Sequence, residues 1–210
     1  MDFSQIVFGL MPLGVFLMFA AGVLYVFSAL FLWKGVKEKS DLINALITFL
    51  SYQAIAKFSM GLGALTGAAI YGKIAPLAII IGAAYMLKFP LSVLSASTRK
   101  ALFAVILAVS VIGYAWFMSS PEGQVAIGNF ALWYDVLLNG VLVGGTIIFF
   151  GLRSANSTYK AKAVGGGSGV VSCCVVANVA MVSGALLTSV IFQFLAPIFI
   201  LGALLKSRVQ

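Results

Sequence analysis

Ile6–Trp33 reads IVFGLMPLGVFLMFAAGVLYVFSALFLW, without a single charged side chain. The apolar residues run on continuously and do not alternate, so the segment reads as helix and not as strand. Its 28 residues reach about 42 Å at roughly 1.5 Å per residue, more than the roughly 30 Å of a hydrocarbon core. A helix of that length tilts or bends, and Pro12 is the expected bend. Asp2 and no cation precede the run, and no small-residue cleavage site follows it. It therefore reads as a retained membrane helix and not as a signal peptide.

The rest of the chain has the same character. Of its 210 residues, 62% are hydrophobic and 9% are charged. A soluble domain is about 45–50% apolar and about 25% charged. Apolar surface on this scale needs lipid as its solvent, and in lipid the backbone must satisfy its own hydrogen bonds. The expected fold class is all-α: one polytopic membrane bundle over 1–210, with about six transmembrane helices. The net charge is +8. The cations flank apolar runs and form no basic stripe with interleaved aromatics, so they read as topology signals and contacts to anionic lipid, and nucleic acid is not an expected partner. Histidine is absent. That removes bis-histidine haem, most zinc sites and histidine acid–base catalysis.

The expected spans are 6–33, 42–65, 74–94, 101–118, 129–150 and 170–205. Lys34, Lys37 and Lys39 follow the first span, diluted by Glu38 and Asp41. Arg99 and Lys100 lie in the third connection, and Arg153, Lys160 and Lys162 in the fifth. This bias places those connections in the cytoplasm and the N-terminus outside. Six spans then put the closing Lys206 and Arg208 on the outer side, against the same rule. The alternative is a seventh crossing, with 163–205 folding as a hairpin whose one internal turn signal is Ser183-Gly184. Lys88 is expected to snorkel toward Arg99 and Lys100. Pro12, Pro90 and Pro197 are expected to interrupt helices, and glycines spaced four apart (Gly63/Gly67, Gly140/Gly144) to allow close helix contacts.

Inside the spans, Lys57 and Asp135 stand out. Each sits several residues below the outer end of its helix, at a depth where an ionised group pairs or faces a water-filled cavity. Asn139 falls one turn below Asp135 on the same face. Together Lys57, Asp135 and Asn139 form a candidate ion or substrate site, with a structural ion pair or a snorkelling lysine as the plain alternative.

The remaining chemistry lies in Gly165-Gly-Gly-Ser-Gly169 and the adjacent Cys173 and Cys174. The glycines read as a flexible approach to a last helix starting near Val170, and the cysteines as its first turns. A helix N-terminus favours a thiolate, and thiolates select soft metals. Cys174, Asn178 and Met181 share a helical face, which makes Cys173, Cys174 and Met181 a candidate soft-metal set. A small-residue run leading into a Cys-Cys pair at the start of a membrane helix resembles the mercuric-ion transport membrane proteins, and that resemblance implies soft-metal handling by Cys173 and Cys174. The chain departs from the pattern: Val175-Val176 follows where a Gly-Pro step is usual, and there is no further cysteine to receive an ion. Cysteine is also a common small packing residue in apolar helices.

The functional expectation is a transport protein for an ion or small solute, a soft metal ion among them, in a membrane of prokaryotic type. The alternative is a non-catalytic subunit of a larger membrane assembly, and a homo-oligomer or other membrane subunits are the expected partners besides lipid. No acid, base and nucleophile come together in the sequence, so an enzyme is not expected, and no cofactor beyond a soft metal is indicated.

Overall fold

In the computed structural model, residues 12–35 and 41–205 are described. They form helices and short turns, with no strand among them. Residues 6–11 of the first apolar run, Asp2, Lys37, Glu38, Lys39, Lys206 and Arg208 lie outside the described residues. Seven helices are long and apolar enough to cross a membrane. They are α1 (Pro12–Gly35), α2 (Asp41–Thr66), α3 (Ala69–Met86), α4 (Ala96–Phe117), α5 (121–153), α6 (157–182) and α7 (Leu186–Leu205).

The expected six spans are thus corrected to seven, and the division falls at Ser183-Gly184. Gly184 has φ +83°, a left-handed conformation that glycine adopts without a Cβ clash. Its N–H donates to the Met181 carbonyl (3.1 Å), and Ala185 N–H donates to that of Ala180 (2.8 Å). This paired arrangement closes a helix by satisfying carbonyls that would otherwise lack a donor. Gly67 ends α2 in a related way, with φ +68° and a bond from its N–H to the Gly63 carbonyl (2.9 Å). Gly67 thus serves the turn that ends α2, with Gly63 supplying the carbonyl.

An odd number of crossings changes the charge pattern. Lys34, Lys88, Arg99, Lys100, Arg153 and Lys160 all stand at the helix ends of one face, where α7 also ends at Leu205; Lys73, near the start of α3, stands on the other. By the charge rule this basic face is the one expected in the cytoplasm. On it Asp41 meets both Lys88 and Arg99 at 3.8 Å, so Lys88 finds an acidic partner at the start of α2 and not only its own cationic neighbours. Lys88 also lies over the rings of Tyr85 and Phe103.

Of the prolines expected to interrupt helices, Pro12 is the first described residue of α1. Pro90 opens a short 3-10 turn, Pro90–Val93, after α3, and Pro197 lies inside a continuous α7. Ser95 and Ser120 cap α4 and α5, accepting from the N–H groups of Thr98 and Gly123. α1 and α2 pack by exchange of rings and glycines. A Cβ on Gly22 would meet the Phe58 ring at 3.0 Å, and one on Gly61 would meet the Phe19 ring at 3.0 Å. α7 packs on α6 and returns to α1, closing the bundle, while α4 rides on the outside against α3 and α5.

The glycine run is not a loop. α6 begins at Ser157, so the connection from α5 is only 154–156, and Gly165–Gly169 lies within regular helix. The run looks helix-breaking because glycine costs about 1 kcal/mol against alanine in a helix interior. Here it allows helices to touch on two sides. A Cβ on Gly167 would meet Ile148 of α5 at 2.6 Å, and one on Gly169 would meet Ile200 of α7 at 2.6 Å. Gly144 faces Val171 at 2.8 Å, Gly140 faces Val175, and Gly151 faces Ala163.

Two measurements test this arrangement. Single cysteines introduced at Ala155 and Ser183 are expected to react with an impermeant maleimide from opposite faces of the membrane; labelling of both from one face would sink the seven-helix topology. Gly144→Leu or Gly167→Leu is expected to destabilise the bundle by about 1–3 kcal/mol in detergent unfolding. Gly145→Ala and Gly166→Ala, where an added Cβ meets nothing within 4 Å, are expected to be neutral or mildly stabilising.

Candidate functional site

The site lies on α1, α2, α5 and α6. In α5 the hydrogen bonding widens to a π-helix over Asp135–Gly144, and in α6 it does so over Ser172–Val176. The two widened stretches face each other. Gly140, which lacks a side chain, lets Val175 and the Cβ of Cys174 come against the α5 backbone. π-helical turns are uncommon and gather at functional sites, because the changed register re-aims side chains.

Asp135 is the centre of the arrangement and is 2% exposed. Asn139 Nδ2, on the next turn of α5, donates to Asp135 Oδ1 at 2.6 Å. From α6, Asn178 Nδ2 donates to Asp135 Oδ2 at 2.9 Å and to the Cys174 carbonyl at 3.0 Å. Both carboxylate oxygens thus have an amide donor, one from their own helix and one from the neighbouring helix. The Cys174 thiol lies beside the same carboxylate. Charge-assisted bonds of this kind are about twice as strong as neutral ones and keep a buried carboxylate from being left unsatisfied.

Lys57, 3% exposed, comes from α2 and acts on Asp135 through space. Among the described residues no salt bridge joins them, so the structural ion pair weighed as the plain alternative is not formed, and the ion pairs present are those of Asp41. Gln53, one turn below Lys57 on the same face of α2, accepts a weak bond from the Cys173 thiol at 3.9 Å. Tyr25 of α1 is fully buried, with its hydroxyl beside that thiol but outside hydrogen-bond geometry. Tyr25 Oη, Gln53 Nε2 and Asn139 Oδ1 are buried without a hydrogen-bond partner.

Of the residues singled out in the sequence, Lys57, Asp135, Asn139, Cys173 and Cys174 come together. Met181 does not join them. It is buried in an apolar cluster with Met18, Met60, Ile80 and Leu132, while the two cysteines belong to a separate cluster with Tyr25, Phe49 and Leu50. The cysteines also do not open a helix: fifteen residues of α6, Ser157–Val171, precede the π-helical stretch that holds them. The argument from a helix N-terminus therefore does not apply to their thiols. Among the described residues no three Cys, Asp or Glu side chains converge closely enough to hold a metal ion.

Tyr25 and Gln53 belong to the site and carry no functional role in the sequence reading, while Asn178 enters that reading only as a residue on the Cys174 and Met181 face. Asn178 had a signal, its i+4 spacing from Cys174. Gln53 also had one, since it stands four residues before Lys57. Tyr25 had none, because one tyrosine in an apolar span looks like any other packing residue. The chain matches no known protein family, and no curated protein or solved structure shows significant similarity to it.

The Asp135–Asn178 bond is expected to couple α5 to α6 energetically. Asn178→Leu should cost about 1–3 kcal/mol in detergent unfolding. In an Asp135→Leu background most of that cost should vanish, because the two side chains act as a pair. An equal cost in both backgrounds would show that the bond does not hold the helices.

Proposed function

We propose that this protein transports an ion or small solute across a membrane, with the Asp135 cluster as the station its cargo passes. The observation that carries the reading is the gathering of polar side chains from α1, α2, α5 and α6 inside the apolar bundle, where α5 and α6 leave regular α-helical geometry. Polar and ionisable groups are expensive inside a membrane bundle and are by default candidates for substrate or ion paths. Helices that depart from regular geometry near a bundle core are a recurrent way of lining such paths.

Lys57, Asp135 and Asn139 supply the polar part of the station, and Cys173 and Cys174 flank it. A soft metal ion as cargo would draw on the two thiols first, with Met181 in the adjoining apolar cluster. No catalytic residue is assigned, because no nucleophile with an acid and a base is assembled at the cluster.

The second reading, a non-catalytic subunit of a membrane assembly or of a homo-oligomer, draws on α4. Its outer face presents Val105, Val109, Ile112 and Trp116, the last 77% exposed. Such a face suits lipid or a neighbouring helix equally.

Purified full-length protein in sealed vesicles separates the two. The transport reading expects flux of at least one of protons, sodium, chloride, nitrate or cadmium above empty vesicles, lowered about tenfold or more by Asp135→Leu. Flux equal to empty vesicles for all of them, together with co-purification of a second membrane subunit, would replace transport with the subunit reading.

A further inference from the structure

The polar groups of the cluster are not balanced. Asp135, the one acidic side chain there, has a donor on each oxygen. Toward α1 and α2, three groups that can donate, on Tyr25, Gln53 and Lys57, lie near Cys173. The Tyr25 hydroxyl and Gln53 Nε2 make no hydrogen bond. The Lys57 ammonium makes no ion pair among the described residues, although the side chain is 3% exposed. Gln53 and Lys57 stand four apart on α2, so their polar ends share a face, and the Gln53 carbonyl is turned to the Cys173 thiol. A buried ammonium that no carboxylate contacts directly is costly, and so is each unpaired donor near it.

From this donor set we infer that the cluster binds a small inorganic anion between Lys57, Gln53 and Tyr25, against Cys173. The inference gives a substrate class to the transport proposed above and rests on that reading for its role, but not for the binding itself. A halide or nitrate only accepts hydrogen bonds, which matches an ammonium, an amide N–H and a hydroxyl. A metal cation meets the reverse: Lys57 repels it, and Asp135 already has an amide on each oxygen. Asn139 Oδ1 is the unpaired acceptor in the group, and one carbonyl is a poor cage for a cation that takes six or more oxygens.

The full chain in detergent, compared in sodium chloride, sodium nitrate and sodium gluconate at equal ionic strength, tests the inference by thermal unfolding. Chloride or nitrate is expected to raise the unfolding temperature over gluconate, with the apparent affinity lowered about tenfold or more by Lys57→Met and less by Tyr25→Phe. Gln53→Glu is the decisive variant. It places a carboxylate one turn from Lys57, so it should fold as well as the wild type in gluconate and lose the response to chloride and nitrate. An undiminished response in Gln53→Glu, or a response that follows the cation when sodium is exchanged for potassium or choline, overturns the anion site. Vesicle flux separates this from the transport reading. Anion-dependent stabilisation through Lys57 without flux keeps the site and removes transport; cation flux indifferent to Lys57→Met keeps transport and removes the anion site.

Discussion

A carboxylate inside a lipid-embedded bundle has no water to turn to, and the arrangement around Asp135 follows from that. Its two oxygens take amide donors from Asn139 and Asn178. One bond is local to α5, and the other reaches α6. A polar group that would be costly alone becomes a link between two helices. Because Asn178 also donates to the Cys174 carbonyl, the same amide reaches into the π-helical stretch of α6 as well as across to Asp135. The bond to α6 requires the helix axes to be close.

Closeness comes from small residues. Gly140, Gly144 and Gly151 on α5 meet Val175, Val171 and Ala163 on α6, while Gly165 and Gly169 on the far side of α6 meet Ala203 and Ile200 of α7. Between helices in lipid there is little hydrophobic gain from burial, so contact area at short range is what holds them. The glycines that weaken α6 as an isolated helix strengthen it as the middle member of a three-helix seam. The π-helical stretches fall within this seam, next to Asp135 and Cys174.

The cysteines illustrate how position changes chemistry. At a helix N-terminus on the cytoplasmic side, a Cys-Cys pair is placed to meet a soft metal. Inside a continuous helix, buried between α1, α2 and α5, it is a pair of small side chains whose neighbours are Gln53, Tyr25 and Asp135. Cys173 then matters as one wall of a donor-lined site, and Cys174 as a close contact to Gly140.

What the sequence determined by itself was the class of fold and the presence of polar residues inside apolar runs. Uninterrupted apolar runs in a chain with so few charges leave a helical membrane bundle, because lipid tolerates no unpaired backbone. The i, i+4 spacing of Asp135 and Asn139 put the two side chains on one helix face, and the bond between them is a finding of the structure. Only the tertiary structure decided the number of crossings, the helical state of the glycine run, the separation of Met181 from the cysteines, and the meeting of Tyr25, Gln53 and Lys57 around Cys173. The reason is physical. The Ser183-Gly184 turn closes α6 through bonds to the Ala180 and Met181 carbonyls, and Gly165–Gly169 stays helical where α5 and α7 pack on it. Contacts between α2, α5 and α6 depend on axial distances and on two changes of helical register, neither of which leaves a period in the sequence.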